Sequence, residues 1–87
     1  MDIFVICTFS DSGRFVTTAT PDEHAARAEA DSIVANMAAD GWKLNETQDI
    51  SESAAIPGVP GVIRVYHLNR SSGVWENVEI YRIKTKE

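Results

Sequence analysis

The chain has 87 residues, 44% of them hydrophobic and 24% charged, and its formal net charge is −5. That length makes residues 1–87 a single domain with a small core, and the apolar content excludes intrinsic disorder. No run approaches the ~20 apolar residues of a membrane span, and an acidic balance disfavours direct binding of nucleic acid.

Ile3 to Phe9 predicts the first strand. Ile3, Val5, Cys7 and Phe9 alternate with Phe4 and Ile6, so both faces are apolar, as in a strand inside a sheet. The run is too short for a secretory signal, and Asp2 stands where positive charge is needed. Ser10-Asp11-Ser12-Gly13 is a turn cluster, and Arg14 to Thr18 completes a hairpin.

A helix follows from Pro21 to Asp40. Thr20 is its expected N-cap, with Glu23 closing a capping box and Pro21 at the first helical position. Ala26, Ala30, Ile33, Val34, Met37 and Ala38 recur at helical spacing as one apolar stripe. Gly41 is the expected C-terminal stop.

Trp42-Lys43-Leu44 leads into a third strand, with Trp42 and Leu44 on one face, while 45–53 is polar and weakly patterned. Residues 54–61 read as a loop whose two Pro-Gly pairs mark turns. Val62 to Leu68 is a strand, with Ile63 and Val65 on one face and Val62, Tyr66 and Leu68 on the other. A polar connection, 69–73, joins it to a last strand from Val74 to Lys84. The expected fold class is α+β: one long helix on one face of a mostly antiparallel four- to five-stranded sheet, in the order β-β-α-β-β-β.

The pattern Met37-x-x-x-Gly41-Trp42-x-Leu44 resembles a family of small bacterial domains of unknown function, in which an amphipathic helix ends in Gly-Trp-Glu-Leu-Val. Lys43 and Asn45 depart from that pattern, and Tyr81-Arg82 loosely matches the family's closing strand. The resemblance implies a helix-on-sheet fold and no particular activity.

Catalytic, cofactor and metal sites are not expected. Cys7, the one cysteine, lies in an apolar strand, where the residue is usually inert; it fits a reducing, cytoplasmic setting. His24 and His67 lack ligand-spaced neighbours, and Gly58 and Gly61 have the wrong spacing for a phosphate loop. Residues 1–53 hold ten acids and three bases, and residues 54–87 three acids and five bases. The bases Arg64, Arg70, Arg82, Lys84 and Lys86 read as solvated strand ends.

What remains is contact with protein. One helix covers one sheet face, so the other is free for a partner, and pairing two such faces in a homodimer hides apolar surface. Trp75, Tyr66 and Tyr81 are the aromatic candidates for that contact, with Ile56 and Val59 as apolar loop tips. The aromatics serve equally as core. An alternative is a phage-type inhibitor, similar in principle to anti-CRISPR proteins, that blocks a host nucleic-acid-binding protein with an acidic surface made of Asp22, Glu29, Asp31 and Asp40.

Overall fold

The computed structural model describes residues 1–50 and 60–84. Its elements are β1 Asp2–Ser10, β2 Gly13–Thr20, α1 Glu23–Ala39, β3 Lys43–Asp49, β4 Gly61–Asn69 and β5 Trp75–Lys84. The five strands form one antiparallel sheet in the order β2-β1-β5-β4-β3. Helix α1 packs on one face, so the expected α+β class and element order hold. The loop tips Ile56 and Val59, the Pro57-Gly58 turn and Lys86 lie outside the described residues.

The doubly apolar pattern of β1 is explained by its place between β2 and β5. Phe4 and Ile6 face the helix and are buried. The helix-side core also holds Ala26, Ala30, Val34, Ile63, Tyr66, Leu68, Val78 and Ile80, with Ile33, Met37 and Trp42 packed against it. Ala26 and Ala30 are completely buried, since their small side chains let α1 lie close to the sheet. Ala38, expected in this stripe, is exposed: it belongs to the last helical turn, where the apolar face narrows to Met37.

The helix starts later than its sequence suggests. Strand β2 continues to Thr20, which pairs with Phe4, so Thr20 is held in extended backbone and is not the N-cap. Asp22 caps instead, its Oδ1 accepting from the backbone N–H of His24 at 2.9 Å and of Ala25 at 3.3 Å. Thr20 Oγ1 accepts from the Asp22 N–H at 3.2 Å. Glu23 makes no capping box; it accepts from Arg27 one turn on, at 3.0 Å.

At the other end Asp40 is the C-cap and Gly41 takes a φ of +95°. The Trp42 N–H then reaches Met37 O (3.0 Å) and the Gly41 N–H reaches Ala38 O (3.2 Å). These two bonds make a Schellman motif, and its apolar contact is supplied by Met37 and Trp42 on the core. The Met37-x-x-x-Gly41-Trp42 pattern therefore encodes a helix stop and a core plug. Leu44 does not share that burial; it is 41% exposed, next to a bulge in the edge strand β3.

A second bulge, between Val62 and Arg64, resets the facing of β4. Ile63 consequently joins Tyr66 and Leu68 under the helix, whereas Val65 sits opposite Glu79 on the other face. Strict alternation had grouped Ile63 with Val65, and the inserted residue is what breaks it.

Candidate functional site

No described element packs over the sheet face turned away from α1. Alternation along the strands sends Ile3, Val5, Cys7 and Phe9 of β1 to it, with Arg14 and Val16 of β2. Strand β5 adds Trp75, Asn77, Glu79, Tyr81 and Ile83, and β4 adds Val65 and His67. Val5, Phe9, Trp75, Tyr81 and Ile83 are half-buried, and Val16 is exposed. Val5, Cys7, Val16, Pro60, Tyr81 and Ile83 wall an open cleft of about 310 Å³, with Arg14 at its polar end.

Glu79 is buried on this face, 6% exposed. It lies on the central strand, flanked in register by Cys7 and Val65, so its carboxylate needs an internal partner. Arg14 provides one from two strands away, roughly 9–10 Å at ordinary strand spacing. Its guanidinium lies over the Phe9 ring, 4.2 Å from the centroid. From there Nε donates to Glu79 Oε1 at 2.7 Å and Nη2 to Oε2 at 3.4 Å. The Tyr81 hydroxyl donates to Oε1 at 3.2 Å. The hydrogen bond to Glu79 pushes the Arg14 pKa further up. Phe9 in turn meets Trp75 edge-on at 5.4 Å between centroids.

Cys7 forms the floor of this cluster. Burial, and after it the Glu79 charge, push its thiol up, with Arg14 opposing them. That keeps it in the weakly nucleophilic protonated form. His67 is on β4 beyond β5, with Nε2 3.5 Å from Gln48 Oε1, and His24 is exposed at the start of α1. Among the described residues no group of three His, Cys, Asp or Glu side chains could hold a metal ion. No helix there is long and apolar enough to cross a membrane.

The remaining candidates fall on the helix side. Tyr66 is buried in the core, 3% exposed, and its hydroxyl donates to Asp31 Oδ1 at 2.6 Å while accepting from Arg64 Nη1 at 3.2 Å. Arg64 also holds Asp49 at 2.6 Å, which keeps that carboxyl below its ordinary range. Asp40 accepts from Arg70 at 2.8 Å, and the Arg70 guanidinium stacks over Trp42, 4.8 Å from the ring centroid. Glu29 is exposed on α1. Of the sequence candidates, the structure brings Trp75 and Tyr81 to the open face. It spends Asp22, Asp31 and Asp40 on local contacts. The Arg14–Glu79 pair escaped the sequence reading, because β2 and β5 are joined only through the sheet order.

Burial, and after it neighbouring carboxylates (Asp31 for Tyr66, Glu79 for Tyr81), raise both tyrosine pKa values. With Cys7 this fixes an alkaline stability limit. The folded state resists losing these protons, so stability is intact below the unfolded values. It falls as pH rises beyond 9.0 for the thiol and 10.0 for the phenols, through the higher values these groups have when folded. Urea midpoints measured from pH 8 to 11 should decline across that span, and Tyr66→Phe should flatten the decline.

Compared with known proteins, the chain matches no family model, no curated protein and no solved structure.

Proposed function

We propose that the chain is a non-enzymatic protein-interaction module that associates with a second copy of itself through its sheet. The observation that carries this reading is the open face: a strip of half-exposed apolar side chains around a cleft, beside an ion pair of which only the Glu79 end is buried. Contiguous apolar surface of this kind marks interaction sites. The charge distribution favours a like partner. Asp22, Glu29, Asp31 and Asp40 all lie along or at the ends of α1, on the far side of the sheet. Two copies meeting through their sheets keep these acids apart despite a net charge of −5 each. Three of the four also serve the cap, Tyr66 and Arg70, which gives them a role within the fold.

Light scattering on the purified chain at about 100 µM should return twice the 9.6 kDa chain mass, falling towards one chain on dilution. A mass of one chain throughout would sink the proposal.

A further inference from the structure

We infer that the contact between copies is the β2 edge, joined antiparallel to the β2 edge of the second copy so that two five-stranded sheets become one. This rests on the self-association reading and moves the contact from the open face to its β2 rim, where Val16 borders the cleft.

Strand β2 is one of the two outer strands, so one row of its backbone N–H and C=O groups has no neighbouring strand among the described residues. Such edges are normally guarded by charge, whether outward or turned inward, by proline, by a bulge or by cover. Gly13–Thr20 contains no lysine, acid or proline. Its guards are one charge, Arg14, turned inward over Phe9 onto Glu79, and one bulge, opposite Ile6 and Cys7. The opposite edge, β3, is different: Lys43, Glu46 and Asp49 are all exposed along it. A β2-to-β3 contact would repeat head to tail into a filament, and these charges oppose it. A β2-to-β2 contact closes on itself about a two-fold axis.

Two side chains separate edge pairing from face pairing. Phe15 is 57% exposed and Val16 66% exposed. Phe15 sits opposite Thr8 on the helix side, and Val16 opposite Cys7 on the open side. A copy stacked on the open face covers Val16 and leaves Phe15 in water. A strand laid alongside β2 covers both, because its own side chains alternate above and below. The bulge between Ile6 and Cys7 does not detach the strand, since Thr17 Oγ1 donates to the Ile6 carbonyl at 3.0 Å. It leaves Gly13–Val16 as the regular segment for pairing. The nearest acids, Asp11 and Asp22, lie beyond the two ends of β2, so added salt should strengthen the association.

The test uses the full chain, with Phe15→Lys and Val16→Lys as variants. Both sites are exposed, and each variant's fold is checked by its urea midpoint. Sedimentation equilibrium should show association weakened roughly tenfold or more by either change. Hydrogen exchange by NMR should show β2 amides that become protected as protein concentration rises. A dimer that survives both lysines, with β2 amides exchanging alike at all concentrations, overturns the edge contact and leaves self-association standing. So does a dimer lost on Ile83→Lys but kept by both β2 variants, which places the contact on the open face. A chain that stays monomeric at every concentration overturns both.

Discussion

Ile80→Ala is expected to lower the free energy of unfolding by about 3 kcal/mol, seen as an earlier urea midpoint with an unchanged slope. Ile80 is completely buried on β5, the middle strand, between Ile6 on β1 and Arg64 on β4. The truncation removes apolar contact and leaves a cavity that the neighbouring strands cannot close without breaking their ladders. A domain of this size holds on the order of 5–10 kcal/mol in total, so the change takes a large share of it. Val74→Ala is the control: Val74 is 54% exposed, and its loss should stay within about 0.5 kcal/mol. Equal effects at both positions would contradict the central placement of β5.

The second large effect is expected from Arg14→Met. It leaves the Glu79 carboxylate buried with the Tyr81 hydroxyl as its one remaining side-chain donor among the described residues. The urea midpoint should fall, by less than for Ile80→Ala, because the Arg14 side chain is 45% exposed and water screens the pair. The decisive measurement is the double variant Arg14→Met/Glu79→Leu. Removing both partners abolishes the stranded charge, so the double variant should recover most of the loss. A double variant no more stable than Arg14→Met alone would mean that losing Arg14 does not strand Glu79.

The elements were readable because their signals are local. Pro21 and Gly41 bracket the helix, and the run Ile3–Phe9 announces an interior strand by being apolar on both sides. What escaped depends on pairing between distant segments. Thr20 has the composition of a cap, yet its pairing with Phe4 holds it in β2 and passes the cap to Asp22. Lys43–Asp49 is exposed throughout, so its strand leaves no pattern in hydrophobicity. Ile63 changes faces because of a bulge that alternation cannot foresee. Nothing local marks Glu79 as buried, and only the order β2-β1-β5 shows the arginine that lets it be so. The candidate site was legible as an uncovered face and as Trp75 and Tyr81, but its polar centre was not.

The middle position of β5 also governs how the chain reaches its fold. Strands β1–β2 and β3–β4 are two-stranded ribbons, and such ribbons are at best marginally stable alone. Each meets the rest of the sheet only through residues 75–84, and the outermost such pairing joins Asp2 to Lys84. During synthesis Phe4, Ile6 and Leu68 therefore stay without their final neighbours until nearly all the described sequence has left the ribosome. Pairing β5 with β4 is a local hairpin, but zipping β1 onto β5 is a long-range event. The millisecond-to-second timescale of non-local sheet topologies is the one to expect for it.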